Sequence, residues 1–285
     1  MKLKKISKYL VLLNFVLISN LQFAQSFDKS VLHIYNDYLN NPAFIYAEKT
    51  IQINAIGGTS LTKLNNNPNE FMINTLAYFN KISSGIIISY HKENTGAYVN
   101  NQGVILGYAY HQKIHQDLEI SIGVSFDIFK YKFKPDNQLN ISSNTVSDVN
   151  YKAGLGLKYK NLSVSYAIHN NNVNMLDTNF IWTKSRKLNN SVFVRYDVQI
   201  KDIWHFYPQL SYFDDNTPKL LPSLIVDYKN IVGLGFEYWN NINITAYVKF
   251  FKKIKIIMLI KHQNNVLIYD KTSGWNLLGQ VQIDL

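Results

Sequence analysis

Residues 118–128 read LEISIGVSFDI. Leu118, Ile120, Ile122, Val124, Phe126 and Ile128 are apolar, and Glu119, Ser121, Gly123, Ser125 and Asp127 stand between them. Successive side chains of an extended chain point to opposite faces, so this unbroken period of two describes a strand with one apolar face and one polar face. The pattern returns downstream. Val149, Tyr151, Ala153, Leu155, Leu157 and Tyr159 alternate with Asn150, Lys152, Gly154, Gly156 and Lys158. Val192, Val194, Tyr196, Val198 and Ile200 alternate with Ser191, Phe193, Arg195, Asp197 and Gln199, and a further copy holds Ile242, Ile244, Ala246, Val248 and Phe250. No helical stripe of comparable length appears beyond the N-terminus.

The connections add a second regularity. Short turns at Lys160-Asn161, Lys201-Asp202, Lys229-Asn230 and Lys252-Lys253 alternate with longer polar segments at 133–148, 169–188 and 263–273. Short turns at one end and long loops at the other mark an outer-membrane barrel, with the turns periplasmic. Strands are expected at 51–61, 70–80, 84–91, 103–113, 118–132, 149–159, 162–168, 189–200, 203–213, 219–228, 231–238, 242–251, 254–262 and 274–285, about fourteen in all. An even number returns both chain ends to one side. The outer connection at 239–241 must then be very short. Pro208 and Pro222 fall inside strands, where each removes a ladder donor, so bulges are expected there.

Barrel physics accounts for the composition. A closed sheet gives every backbone N–H and C=O a partner inside the bilayer and leaves no edge. The chain has 20 tyrosines and 16 phenylalanines, and Tyr159, Tyr196, Tyr212, Tyr228, Trp239 and Trp275 fall near strand ends, where aromatic girdles sit. A soluble β-sandwich or propeller shows the same alternation without the loop asymmetry. The last strand alternates through Val281, Ile283 and Leu285 to the carboxyl terminus, as an outer-membrane assembly signal does. The expected fold is therefore all-β: a transmembrane antiparallel β-barrel in the cell outer membrane. Ile120, Ile122, Val124, Leu155, Val194, Ile244 and Val248 are expected to face lipid. Glu119, Lys152, Lys158, Arg195, Asp197 and Lys249 are expected to face the lumen.

The N-terminus supports export. Lys2, Lys4, Lys5 and Lys8 precede the apolar run 9–18 and the polar stretch SNLQFAQS, which is the order of a secretory signal peptide. Cleavage after Ala24 divides the chain into a signal peptide (1–24), an N-terminal periplasmic segment (25–49) and the barrel (50–285). It removes four lysines and lowers the formal charge from +10 to +6. Only Arg186 and Arg195 are arginine, which argues against a nucleic-acid partner. The absence of cysteine excludes disulfides, thiolate metal sites and a cysteine nucleophile.

Catalysis finds no support. His91, His111, His115, His169, His205 and His262 share no motif, and Asp214-Asp215 followed by Asn216 lacks the spaced oxygen ligands of a calcium loop. The alternating glycines of GVILGYAYHQ (103–112) and GLGLKY (154–159) precede no helix that would cradle a phosphate. No enzyme activity, metal or cofactor is expected.

Residues 34–46, IYNDYLNNPAFIY, stand between the signal and the first strand. Pro42 fixes its own φ and turns Asn41 towards extended backbone, so Asn41-Pro42 is expected to end a short turn and aim the chain at the barrel, with the Tyr and Leu side chains closing its periplasmic mouth. Tyr35, Asn36, Tyr38, Leu39, Asn41, Pro42 and Ala43 resemble the segment that opens mature proteins of the PorP/SprF family. Asp37 replaces the first proline of the family pattern, and Glu48 its glycine. The resemblance implies a barrel of the type IX secretion and gliding motility apparatus of Bacteroidetes, assisting secretion or surface attachment of specific substrates. It implies as partners a secreted surface protein or adhesin, a periplasmic peptidoglycan-binding (OmpA-like) protein and outer-membrane lipid. Tyr35, Tyr38, Leu39, Asn41, Pro42 and Ala43 then form a partner-facing motif, whose replacement is expected to leave the barrel folded. The competing reading is a FadL-like transporter of hydrophobic small molecules, for which a plug longer than residues 25–49 is expected.

Overall fold

The computed structural model describes residues 36–46, 50–61, 69–95, 99–133, 144–176, 182–214, 219–239, 241–250, 253–267 and 270–285. The signal peptide expected at 1–24, Tyr35, Asp215 and Asn216 lie outside the described residues. Fourteen antiparallel strands form one sheet. They are β1 (Ile51–Leu61), β2 (Asn69–Phe79), β3 (Ser84–Thr95), β4 (Val99–His115), β5 (Leu118–Phe133), β6 (Asn144–Tyr159) and β7 (Leu162–Leu176). There follow β8 in two pieces (Trp182–Tyr196 and Val198–Ile200), β9 (Trp204–Phe213), β10 (Lys219–Tyr228), β11 (Val232–Trp239), β12 (Asn241–Phe250), β13 (Ile254–Leu267) and β14 (Asp270–Asp284). The last strand pairs with the first from Gln52 opposite Asp284 to Leu61 opposite Trp275, so the sheet closes and presents no edge.

Alternation places the side chains. Ile122 and Leu155 are 54% and 53% exposed on the outer face, and Ile120, Val124, Ile244 and Val248 share it, while Ser121, Ser125 and Thr245 between them are buried. On β2, Met72, Asn74 and Leu76 are buried and Phe71, Ile73 and Thr75 are exposed. The buried set is rich in Asn, Gln, Ser and His. That is the polar interior and apolar exterior of a barrel that crosses a bilayer.

Three expectations change at the level of single strands. The described parts of the polar stretches 169–188 and 263–273 are paired rather than looped, with ladders running to Leu176 opposite Trp182 and Leu267 opposite Asp270, and the β5–β6 ladder runs to Phe133 opposite Asn144. A bilayer needs about 9–11 residues per strand, and β4 has 17. Beyond the membrane the ladder continues without an apolar face, which is why alternation does not reveal it. Pro208 and Pro222 produce no shift in the β9–β10 register. Each lies where a neighbour offers no ladder: Pro208 beside the break at Asp197 that splits β8, and Pro222 just outside the β10–β11 pairing. The missing N–H therefore leaves no carbonyl without its ladder donor on that side. The register shift occurs instead between Lys113 and His115.

At the opposite end the strands join through short turns. Lys160, Lys201, Asp202, Lys229 and Asn230 adopt left-handed backbone, with φ between 52° and 54°. Positive φ at both central residues suits a two-residue hairpin to the sheet twist. For a residue with a Cβ it costs about 1–2 kcal/mol, least for Asn and Asp.

Candidate functional site

Pro42 has the local effect its chemistry requires. Asn41 is extended (φ −131°, ψ 111°) and caps the 3-10 turn Pro42–Phe44, its side-chain oxygen accepting from the Ala43 N–H at 2.9 Å. A preceding 3-10 turn, Asp37–Leu39, puts Tyr38 and Leu39 on its buried side. The chain thus folds into two compact turns and enters the barrel. Tyr38, Leu39, Asn41, Pro42 and Ala43, expected to face a partner outside, are buried in the lumen. The segment forms a plug at the turn-side end of the lumen, with Ile45 against Gly85 next to the turn at 80–82 and Pro42 against Gly123.

What makes room for it is a belt of small residues. Gly85, Ala109, Gly123, Gly154, Ala167 and Ser191 lie directly opposite one another on six consecutive strands, β3 to β8, and all are buried. A Cβ on Gly85 would stand 2.0 Å from the Ile45 carbonyl oxygen, one on Gly123 2.3 Å from that of Pro42, and one on Gly154 1.9 Å from Asn41 Oδ1. Plug backbone lies on the backbone of Gly85 and Gly123, and the Asn41 amide on that of Gly154, so no side chain fits at these three positions. Of the alternating glycines of 103–112 and 154–159, Gly107, Gly154 and Gly156 belong to this seat, while Gly103 lies against His91 and Phe129.

Polar contacts fix the plug around the wall. Asn41 Nδ2 donates to the carbonyls of Leu155 and Tyr166, each at 3.2 Å. Lys152 Nζ donates to the Leu39 carbonyl at 2.6 Å, and Arg195 Nη2 pairs with Asp37 Oδ2 at 2.9 Å. His111 Nε2 lies 3.2 Å from the Ile45 carbonyl, with its Nδ1 3.1 Å from Glu119. On the other side the Tyr38 hydroxyl lies 2.9 Å from Asn36 Oδ1 and 3.1 Å from Asn74 Oδ1, with one proton to donate to either, and accepts from Asn54 Nδ2, while Gln280 and Asn36 exchange bonds through their amides. Asn36, Asn54 and Asn74 are almost wholly buried, so these bonds replace hydration that the interior denies. Burial pushes the Asp37 carboxyl above its ordinary value against the pull of Arg195, and pushes the Tyr38 phenol up.

Of the expected lumen residues, Lys152 and Arg195 hold the plug and Glu119 holds His111. Asp197 lies 3.3 Å from His205, Lys249 follows Thr245 and Tyr247 on the inner register of β12, and Lys158 sits on the inner register of β6 near the short turn. His91 and Asp127 form another inner pair at 2.8 Å. Sequence reasoning missed the belt and the Asn54, Asn74 and Gln280 cluster. The available signal was a small residue at one inward position of each successive strand, visible only once the strands are set in register.

The architecture is similar to that of solved channels. A deletion mutant of the TodX monoaromatic hydrocarbon channel superimposes with a TM-score of 0.57 at 11% identity, covering 88% of this chain and 94% of that one. The CymD monoaromatic hydrocarbon channel gives 0.56 at 6% identity over 91% and 94%. The Ralstonia pickettii toluene transporter TbuX gives 0.54 at 11% over 87% and 92%. At such identities the likeness is one of fold. No curated protein matches the chain. The profile of the type IX secretion system membrane protein PorP/SprF family, in contrast, spans residues 22–274, and the chain belongs to that family.

Proposed function

We propose that this outer-membrane barrel is a non-enzymatic component of the type IX secretion and gliding motility apparatus that helps specific secreted proteins reach or stay on the cell surface. The observation that carries this reading, beside the family, is the seated plug. A cavity between plug and wall, lined by Asp37, Asn41, Phe44, Ser191 and Phe213 among others, measures about 20 Å³. Small-molecule sites occupy roughly 300–1,000 Å³. A lumen occupied at its turn-side end in this way suits a barrel that binds and positions a surface protein or adhesin at its extended loop-side hairpins. Its turn side, where the chain enters the barrel and ends, suits a periplasmic peptidoglycan-binding partner. Such a partner would meet Tyr38, Asn41 and Pro42 only after the plug had left its seat.

A second reading is favoured by a different observation. The solved hydrocarbon channels share the barrel architecture, and eleven residues, 36–46, suffice here to occupy the turn-side end of the lumen. A transporter of hydrophobic small molecules would need that plug to move. Deleting the gene and comparing the surface and secreted proteomes with uptake of hydrophobic compounds separates the two. Loss of one large surface protein with normal uptake is the expected result. Lost uptake with an unchanged surface proteome would replace the first reading by the second.

A further inference from the structure

The short-turn rim carries a repeated device. Among the described residues, five of its six turns present an exposed lysine: Lys81, Lys160, Lys201, Lys229 and Lys253. Asp117 and Asp202 are the acids of these turns, and Asp202 accepts a hydrogen bond from Gln199. Three of the five lysines, Lys160, Lys201 and Lys229, hold left-handed backbone, which Asn or Gly would adopt with less strain. An AT-rich coding bias does not account for this choice, since it supplies Asn as readily as Lys, and Asn161 and Asn230 stand beside two of them. Strain retained at a repeated position points to a use for the side chain.

The direction of the ammonium groups says what that use is. Lys160 Nζ lies over the Tyr159 ring at 5.5 Å, and Lys229 Nζ over the Tyr228 ring at 5.3 Å. Both tyrosines lie on the outward registers of their strands, and Trp204 leans on Tyr228 with ring centroids 4.8 Å apart. These two charges therefore sit beside the outer girdle, at the depth where aromatic side chains meet lipid headgroups, rather than over the barrel mouth. We infer that the lysine turns and their neighbouring outward tyrosines bind the phosphates of anionic phospholipid headgroups in the leaflet at the turn end, holding the barrel at a fixed depth. A periplasmic protein docking from below would be met by lysines directed downward, away from the tyrosine faces. This inference rests on the membrane placement of the barrel and not on its cargo.

The test uses the folded barrel in detergent, titrated with phosphatidylglycerol or phosphatidylcholine and followed by native mass spectrometry. The variant Lys160→Asn/Lys201→Asn/Lys229→Asn removes three charges while easing the backbone, so its barrel should stay heat-modifiable. Each basic residue near an anionic surface contributes roughly fivefold in affinity. The wild type should prefer phosphatidylglycerol, and the variant should lose at least about tenfold of that preference. A second variant, Tyr159→Leu/Tyr228→Leu, keeps the charges and should weaken the preference by a smaller factor. No preference in the wild type, or an unchanged one in the lysine variant, overturns the inference. If the lysine variant kept its lipid preference but lost a periplasmic protein on co-purification, the rim would be a protein-docking surface and the lipid assignment wrong.

Discussion

Gly154→Val places a side chain where Asn41 now lies. Its Cβ alone would stand 1.9 Å from Asn41 Oδ1 and 2.8 Å from Cγ, so the amide must leave. Three hydrogen bonds go with it: the cap from Ala43 and the two donated to Leu155 and Tyr166. At about 1 kcal/mol each they sum to about 3 kcal/mol. Overpacking of the remaining atoms adds about 1–3 kcal/mol. At tenfold per 1.4 kcal/mol, the seated state should lose at least about a hundredfold in population relative to the released one. The chain has no cysteine, so Ala43→Cys supplies a single thiol at a buried site, with Gly156 leaving space beside it. Maleimide labelling of the folded protein should be slow in the Ala43→Cys parent and at least about a hundred times faster with Gly154→Val added. Heat-modifiable migration should be kept in both, because Gly154 faces the lumen and the lipid face is untouched. Equally slow labelling in a folded Gly154→Val barrel would refute the seat described for the plug.

Tyr38→Phe removes the hydroxyl that joins Asn36, Asn54 and Asn74; leaving these amides short of a partner should destabilise the protein by about 1–3 kcal/mol in urea unfolding, whereas an unchanged midpoint would mean the cluster reorganises freely. Asp37, held above 3.8 by burial, binds a proton more readily seated than released. Seating should therefore strengthen as pH falls from the raised value towards 3.8 and level off below it; Asp37→Asn should flatten that profile in unfolding midpoints measured across pH, and weakening on acidification would contradict the assignment. Ile122→Lys charges the lipid face and should cost about 2–4 kcal/mol at the midplane, read as lost heat-modifiable barrel, while Lys158→Gln on the inner register should fold normally. Arg195→Gln should be far more damaging than a general lumen substitution, about 3–5 kcal/mol at the upper end, because it leaves Asp37 without its cation; recovery in Asp37→Asn/Arg195→Gln would be the signature of the pair.

Much of the barrel was legible in the chain. An apolar face exists only if every second residue supplies it, so stretches such as 118–128 had to be strands, and the difference between short turns and longer connections pointed to a closed barrel. Asn41-Pro42 likewise dictated its own geometry, since a proline ring acts on the residue before it wherever the pair is placed. The ladders beyond the membrane were hidden, because a strand wet on both faces carries no period. Hidden too was the destination of residues 36–46. Tyr38, Leu39 and Asn41 show nothing in isolation that separates a surface motif from a buried one. Only the register of six strands, which brings Gly85, Ala109, Gly123, Gly154, Ala167 and Ser191 into one row, makes a groove into which that segment fits. Local periodicity thus determined which way each side chain points. The plug depended on which side chains the closed sheet set side by side, a matter of long-range pairing that no short window of sequence contains.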